Sequence, residues 1–219
     1  MSIRVLLADD HKLLRQGLRT LLEEEPDITV VGEASNGRMA RNLVRRLRPD
    51  VILMDVAMPD LNGIEAARQI RGLLPATRLL ALSMHADKRF VAGMLKAGAA
   101  GYLLKDCDRS ELLSAIRSVF AGGTYLSPEV AGSIVESYVR SPRQDEPQAS
   151  PDIVLSVRER EILQLVSEGL STKQIATRLG VSVKTVETHR KRVGQKLGLH
   201  STAELTKYAI REGMTSLDG

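Results

Sequence analysis

The chain has 219 residues, which is enough for one large domain or two modest ones. At 43% hydrophobic and 26% charged residues, its composition is close to that of folded globular proteins and excludes wholesale disorder. The apolar runs fall short of the roughly 18 residues of a membrane helix, the N-terminal residues lack a secretory pattern, and the single cysteine allows no internal disulfide. We therefore expect a cytoplasmic protein without a membrane partner.

Charge is distributed unevenly along the chain. Residues 1–140 contain 19 Lys and Arg against 17 Asp and Glu, residues 141–152 contain 1 against 3, and residues 153–219 contain 11 against 7. The last and smallest folded part is therefore the most basic. This asymmetry is compatible with a polyanionic partner but does not identify one.

The first 125 residues alternate short apolar runs with longer segments of helical period. The pattern predicts five strands at residues 3–8, 28–34, 51–54, 78–82 and 101–104, and five helices at residues 12–24, 38–47, 63–73, 88–97 and 109–121. Strict alternation predicts a doubly wound parallel sheet with helices on both faces, because each right-handed crossover returns through a helix. Ligands of such sheets bind beyond the carboxyl ends of the strands.

A change of composition separates this region from the rest of the chain. Ser127 and Pro128 are typical of a helix start, and the helix they open is predicted to reach about residue 139. Residues 140–152 are rich in Ser, Pro, Gln and acids, too polar to offset the entropy of ordering, and are predicted to form a linker.

The last 67 residues are predicted to form a small all-α domain of four helices. Helix starts are indicated by capping-box spacing at Ser156, Ser171 and Ser201 and by a further cap at Ser182. The segments at residues 172–179 and 183–197, joined by a turn at Gly180, have the proportions of a helix-turn-helix.

Reactive side chains lie at the ends of four of the five predicted strands. They are Asp9, Asp10, Asp55, Ser83 and Lys105, with Tyr102 inside the fifth strand. In a parallel sheet these groups gather at one edge. Clustered carboxylates repel one another unless a cation is present, and Mg²⁺, which prefers oxygen ligands, meets that requirement.

This arrangement predicts phosphoryl transfer onto the protein itself. Asp55 is the candidate nucleophile toward phosphorus, Lys105 would neutralise charge on the phosphoryl oxygens, and Ser83 would donate a hydrogen bond to one of them. Each residue alone also has an ordinary structural explanation, for example Asp10 as a helix cap. Their joint placement at successive strand ends favours the site.

Four motifs in this region resemble the receiver domain of two-component response regulators. They are Leu-Leu-Ala-Asp9-Asp10-His, Val-Ile-Leu-Met-Asp55-Val-Ala-Met-Pro59-Asp-Leu-Asn-Gly63, Ala-Leu-Ser83 and Gly-Tyr102-Leu-Leu-Lys105-Asp, within residues 1–122. The resemblance implies a CheY-like, flavodoxin-like fold in which Asp55 accepts a phosphoryl group from the phosphohistidine of a sensor histidine kinase.

The same resemblance implies roles for the residues around Asp55. Mg²⁺ would be bound through Asp10, Asp55 and the backbone carbonyl of Ala57, with Asp9 nearby or acting through water, while Ser83 and Tyr102 would form a switch pair. One position departs from the family pattern. Asp106 follows Lys105 where many receivers have proline after a cis bond, which would cost about 3 kcal/mol here, so the geometry of that bond is left open.

The segment at residues 183–197 is amphipathic. Val186, Val193 and Leu197 fall on one helical stripe, and the opposite side presents Lys184, Glu187, Thr188, Lys191, Arg192 and Gln195. A helix inserted into the major groove of DNA needs this division, although a solvated amphipathic helix is the alternative.

The last 67 residues resemble the LuxR-type DNA-binding domain. The resemblance rests on Ser156-Val-Arg-Glu159-Arg-Glu161, Gly169-Leu-Ser171-Thr-Lys-Gln-Ile175-Ala176 and Val-Ser182-Val-Lys-Thr185-Val186-Glu-Thr-His189. It implies that residues of this helix contact DNA, namely Lys184, Thr185, Glu187, Thr188, Arg190, Lys191 and Arg192. Of these, Arg190 and Arg192 would contact phosphates. It also implies dimerisation through exposed Leu205 and Tyr208 on the last helix, and hence inverted half-sites.

Together the two resemblances identify the chain as a response regulator of the NarL/FixJ class. The predicted division is a receiver at residues 1–122, a helix and linker at 123–152, and a DNA-binding domain at 153–219. We expect a homodimer when phosphorylated or DNA-bound, with contact to RNA polymerase left open, and no enzyme beyond self-phosphorylation and slow loss of the phosphoryl group.

Two alternatives stay open at this point. An aspartyl-phosphate phosphatase would also use an Asp nucleophile, but Ala57 occupies the place of its usual companion acid. The receiver could also be a dimerisation module that acts independently of phosphorylation.

Overall fold

The structure, a computed structural model, describes residues 2–84, 86–140 and 155–215, with the side chains of residues 137–140 left aside. The chain forms two compact units that divide between Ser137 and Tyr138, inside the helix at Pro128–Arg140, which is described with the first unit. Each unit has its own hydrophobic core.

The first unit alternates strands and helices. Its elements are β1 (Ile3–Ala8), α1 (Lys12–Glu23), β2 (Ile28–Ala34), α2 (Gly37–Leu47), β3 (Val51–Asp55), α3 (Gly63–Leu73), β4 (Arg78–Ser83), α4 (Lys88–Lys96), β5 (Gly101–Leu104), α5 (Arg109–Phe120), β6 (Tyr125–Leu126) and α6 (Pro128–Arg140). All strand pairs are parallel, in the order β2-β1-β3-β4-β5-β6. The doubly wound parallel sheet predicted from the sequence is confirmed.

The prediction of five strands needs a correction, because the described sheet has six. Tyr125 and Leu126 pair with Gly101 and Tyr102 at the edge of the sheet. A strand of two residues is too short to produce a periodic pattern, so only its pairing partner reveals it.

The strands are buried on both faces. Alternate residues of β3 enter different cores: Ile52 and Met54 pack on one side of the sheet, and Val51 and Leu53 on the other. This explains the near-continuous apolar runs, because both faces of a parallel sheet are covered by helices.

The first unit extends beyond the predicted receiver boundary at residue 122. Val130 in α6 is fully buried in the same core as Ala8 and Met54. The buried Ser127 hydroxyl accepts a hydrogen bond from the backbone N–H of Leu104 at 3.2 Å. The predicted helix after Ser127 is present, whereas the predicted linker beyond residue 140 lies outside the described residues.

The second unit consists of α7 (Val157–Ser167), α8 (Thr172–Leu179), α9 (Val183–Leu197) and α10 (Thr202–Arg211), as predicted. Ser156, Ser171 and Ser201 each form the predicted capping box, and the Ser182 side chain caps α9. Gly180 has φ 64 at the end of α8, a left-handed conformation that favours glycine and allows the sharp turn into α9.

None of the helices in the described parts of the chain combines the length and apolar character that crossing a bilayer requires.

Close packing of α3 against β3 gives a stability prediction. A Cβ atom added at Gly63 would lie 2.0 Å from the carbonyl oxygen of Asp55. We expect Gly63→Ala to lower the free energy of unfolding by about 2–3 kcal/mol in urea denaturation, since overpacking costs roughly that amount.

Gly17→Ala is the matched control, because a Cβ atom at Gly17 in α1 meets no atom within 4 Å. It should leave the free energy of unfolding unchanged or raise it by up to about 1 kcal/mol, as alanine is the better helix former. Equal stability of the two variants would contradict the tight contact at Gly63.

Candidate functional site

Acidic and basic side chains converge at the carboxyl edge of the sheet in the first unit. Asp9 directly follows β1, Asp55 and Ser83 are the last residues of β3 and β4, and Lys105 directly follows β5. Because the strands run parallel, these ends meet although their residues are far apart in sequence. The structure thus brings together the side chains that the sequence predicted to form one site.

Lys105 lies between two buried carboxylates. Its Nζ is 2.8 Å from Oδ2 of Asp9 and 2.8 Å from Oδ2 of Asp55, and it donates a hydrogen bond to the latter. The three side chains are only 5%, 3% and 4% exposed, in the order Lys105, Asp9 and Asp55. The ammonium group therefore compensates the repulsion of two acids that little solvent screens.

Burial and neighbouring charges shift the pKa values of these groups. Burial raises the pKa of Asp55 to about 6; Lys105 opposes this rise and the charge of Asp9 adds to it. Burial also lowers the pKa of Lys105, but the two carboxylates more than reverse this effect, so that its pKa is raised. At neutral pH the site accordingly holds a charged lysine and an ionised Asp55.

The acidic cluster extends from the buried pair to the surface. Ligand atoms of Asp9, Asp10, His11 and Asp55 all lie within 4.8 Å of one another. His11 Nδ1 is 3.2 Å from Oδ1 of Asp9 and 3.0 Å from Oδ1 of Asp10. Sequence reasoning missed His11 as a member of this cluster; its position directly after the two acids at the end of β1 was the available signal.

The donor set of the cluster fits a divalent metal ion. Oδ2 of Asp9 is buried and, among the described residues, has an ion-pair contact with Lys105 but no hydrogen-bond partner. Buried carboxylate oxygens normally satisfy their remaining lone pairs, and a hard cation with oxygen ligands would do so here. The pocket could therefore hold a divalent cation.

The remaining residues predicted for the site lie beside the cluster. The backbone N–H of Ala57 donates to Oδ1 of Asp55 at 3.3 Å.

No described peptide bond is cis, so the bond between Lys105 and Asp106, left open by the sequence, is trans.

Ser83 and Tyr102, predicted to form a switch pair, are both buried and share a side-chain hydrogen bond. Burial raises the pKa of Tyr102 to about 12, with the hydrogen bond from Ser83 acting in the opposite direction. The ring lies in the core beside β4, so movement of the Ser83 hydroxyl would change the immediate surroundings of Tyr102.

In the second unit, α9 presents the predicted division of faces. Val186 and Val193 are buried and Leu197 packs against the same core. The exposed side chains include Lys184, Glu187, Thr188, Lys191 and Arg192, whereas Thr185 and Arg190 are half-buried. Arg190 donates a hydrogen bond to Oγ1 of Thr202 at 2.6 Å, so its guanidinium is held at the start of α10.

A buried acid fixes the far end of α9. Lys196 Nζ donates to Oε2 of Glu159 at 2.7 Å, and the same oxygen accepts the backbone N–H of Ser156 at 2.7 Å. Burial raises the pKa of Glu159, but the bonds from Lys196 and Ser156 outweigh it and the pKa is lowered. Lys196 therefore anchors α9 to α7, a contact that the sequence did not predict.

The predicted exposure of Leu205 is wrong. Leu205 is 4% exposed and belongs to the core of the second unit, and Tyr208 packs partly against it. The spacing of three residues that suggested an outer stripe marks the inner face of α10, where Ala209 is also fully buried. Leu205 is thus unsuited to contact a partner.

Comparison with known proteins assigns both units. Residues 5–117 match the response regulator receiver domain, and residues 153–209 match the luxR family of bacterial regulatory proteins. The chain is a two-component response regulator of the LuxR family. This response regulator is 41% identical to the transcriptional regulatory protein MctR of Rhizobium johnstonii over 218 residues, which cover 100% of the chain and 98% of MctR.

Further relatives support this assignment to NarL- and UvrY-type transcription regulators. Response regulator UvrY of Escherichia coli is 39% identical over 216 residues, covering 99% of this response regulator and 97% of UvrY. RcsB of Salmonella enterica serovar Typhimurium, solved bound to a promoter in the presence of a phosphomimetic, is 25% identical with a TM-score of 0.61, covering 98% of this chain and 100% of that chain.

The pKa of Asp55 predicts a pH signature in the metal-free response regulator. Between the ordinary pKa of 3.8 and the raised value of about 6, the folded protein holds a proton that the unfolded chain has lost. The stability contribution of Asp55 therefore falls as the pH rises through this window. We expect the stability of Asp55→Asn relative to the wild type to increase by about 1–3 kcal/mol between about pH 4 and pH 7, measured by urea denaturation with a chelator.

Asp27→Asn is a control of opposite sign. A hydrogen bond from Arg117 lowers the pKa of Asp27, so the stability that Asp27 contributes is present above its unfolded pKa and is lost as the pH falls. Relative to the wild type, Asp27→Asn should lose stability as the pH rises in the range below 3.8. A flat difference for Asp55→Asn across both windows would contradict a desolvated carboxylate.

Proposed function

We propose that Asp55 accepts a phosphoryl group from the phosphohistidine of a sensor kinase in a Mg²⁺-dependent reaction, and that this event switches dimerisation and promoter binding by α9. The observation that carries the proposal is the Lys105 ammonium held 2.8 Å from the carboxylates of both Asp9 and Asp55. A buried carboxylate that stays ionised beside a fixed cation is suited to attack phosphorus while charge develops on the phosphoryl oxygens.

In the proposed step, a carboxylate oxygen of Asp55 attacks the phosphorus of the phosphohistidine. The new P–O bond forms as the P–N bond breaks, and the imidazole leaves with the bonding electrons and takes up a proton. Lys105 faces Oδ2 of Asp55 and so lies where it neutralises the incoming oxygens. The product is an acyl phosphate on the protein, and we expect only its slow hydrolysis, not turnover of small phosphate esters.

The residues that would hold Mg²⁺ are Asp9, Asp10, Asp55 and the backbone carbonyl of Ala57. The convergence of ligand atoms of Asp9, Asp10 and Asp55 within 4.8 Å of one another supports this assignment. When bound, the ion neutralises charge on the phosphoryl group and orients it.

The effect of phosphorylation would pass from the site to the rest of the receiver through Ser83. Donation of its hydroxyl to a phosphoryl oxygen requires the hydrogen bond with Tyr102 to break. Tyr102 is fully buried, so its ring can move only into space that a neighbouring group vacates. Movement of the Ser83 hydroxyl provides such space.

Promoter binding is assigned to the exposed face of α9 in the major groove. Lys184, Glu187, Thr188 and Lys191 are exposed and stand as candidate base readers, while Arg192 is a candidate phosphate contact. The RcsB structure bound to a promoter supports a DNA-binding role for the same domain type. Two-fold pairing of the protein would then require inverted half-sites.

Phosphoryl labelling tests the first part of the proposal. With acetyl phosphate and Mg²⁺, we expect intact-mass spectrometry to find one phosphoryl adduct on the wild type, none on Asp55→Asn, and the full adduct on Asp27→Asn, whose carboxylate lies on the surface. Chelation of the metal before acetyl phosphate is added should prevent formation of the adduct. A label that persists on Asp55→Asn would contradict the assigned nucleophile.

The proposal also requires that the phosphoryl group on Asp55 changes DNA binding. We expect genome-wide mapping to show phosphorylation-dependent promoter occupancy for the wild type and its loss for Asp55→Asn. Occupancy that is the same in both proteins would instead support a receiver that dimerises independently of phosphorylation.

Salt dependence tests the face of α9 that contacts DNA. If Lys191 contacts a phosphate, Lys191→Gln should reduce the slope of log affinity against log salt concentration by about 1; if it reads a base edge, the substitution should change base preference instead. Lys207→Gln, which removes the same charge from an exposed position on α10, should do neither. An unchanged slope and preference for Lys191→Gln would contradict this face.

A further inference from the structure

A basic patch lies at the amino edge of the receiver sheet, away from the phosphoryl chemistry. We define it by Arg4 in β1, Arg45 and Arg46 in the last turn of α2, and Arg48 directly after α2. All four residues are exposed. The Arg4 guanidinium donates to the carbonyl oxygen of Leu47 at 2.6 Å, which brings it to the end of α2 beside the other three arginines.

The charge of the basic patch is poorly compensated. Arg45, Arg46 and Arg48 form no ion pair with any described residue, and α2 contains no acidic residue over its length. Arginines on the opposite side of the same unit behave differently: Arg15, Arg19, Arg109 and Arg117 each pair with a carboxylate. Acidic residues four positions from basic ones would stabilise a solvated helix face, and α2 contains none.

The dipole of α2 does not account for four arginines. A helix C-terminus carries about half a negative charge, which favours one or two cations in the last turn. Asp50 contacts the patch through the backbone N–H of Arg4 at 2.9 Å and supplies one further negative charge. The remaining positive charge is available to an anionic partner.

The basic patch is separated from the phosphoacceptor site. Arg4 stands near the amino end of β1 and Asp9 follows its carboxyl end, five residues later, and at roughly 3.3 Å per residue this places the two about 16 Å apart. Substitutions in the patch therefore leave the acidic cluster untouched, which makes the two sites separable by experiment.

We propose that the basic patch contacts phosphates of duplex DNA flanking the sequence bound by α9. The proposal rests on the DNA-binding function proposed above. Guanidinium groups match phosphate oxygens in a planar fork, and contacts to the backbone require no base complementarity. Because the receiver is joined covalently to the DNA-binding unit, DNA held by α9 is present at high effective concentration, so a weak surface is sufficient.

The test compares salt dependence for the full chain on a random-sequence duplex several helical turns long. Binding is followed by fluorescence anisotropy over a KCl series. We expect Arg45→Gln/Arg46→Gln to reduce the slope of log affinity against log salt by about 1 to 2, since each phosphate contact contributes about 0.9. Lys88→Gln/Lys96→Gln, which removes two exposed charges from α4, should keep the wild-type slope.

The outcomes separate the patch from α9. A slope for Arg45→Gln/Arg46→Gln equal to that of the wild type, or an equal reduction in the α4 variant, overturns the proposal. Lys191→Gln, which changes a proposed DNA contact of α9 itself, is measured beside the patch variant so that the two effects can be compared. If the wild type binds no duplex at all, the DNA-binding function fails together with the patch, whereas wild-type binding with an unchanged patch variant refutes the patch alone. Unchanged phosphoryl labelling and circular dichroism of the patch variant establish that its receiver is folded.

Discussion

The buried triad of Asp9, Lys105 and Asp55 is the constraint on which the receiver depends. Two carboxylates within reach of one ammonium and almost without solvent carry a net negative charge in a medium that screens it weakly. Removing the lysine from such a group would leave two buried carboxylates without a compensating charge, which is strongly destabilising. The same net negative charge makes the site able to hold a divalent cation.

The sheet makes this triad possible. Asp9 and Lys105 directly follow β1 and β5, and Asp55 is the last residue of β3. The positions of the three strand ends therefore bring the charged residues close together. α3 is packed so closely behind β3 that only glycine fits at position 63. Rigid strand ends hold the reactive groups in place at little further conformational cost, which is the requirement for preorganised electrostatics.

Much of this arrangement could be predicted from sequence, because the period of the apolar residues defines strands and parallel strands align their ends. The apolar run at Ile3–Ala8 predicts a strand, and the two acids that follow it mark the position of the site. Contacts between elements are less accessible: the pair of Lys196 with Glu159 joins residues 37 apart, and no local period records it. Leu205 was misplaced because a spacing of three residues does not say which side of a helix faces the core.

The path by which the chain leaves the receiver has a mechanical consequence. The backbone N–H of Ser127 donates to the carbonyl oxygen of Tyr102 at 3.0 Å, and the Ser127 hydroxyl donates to Glu111 at 3.0 Å. The outgoing segment is thus fastened to the very strand that carries the buried tyrosine. Because a main-chain hydrogen bond joins the two directly, a displacement of that strand would also move the departing chain, with no side chain in between.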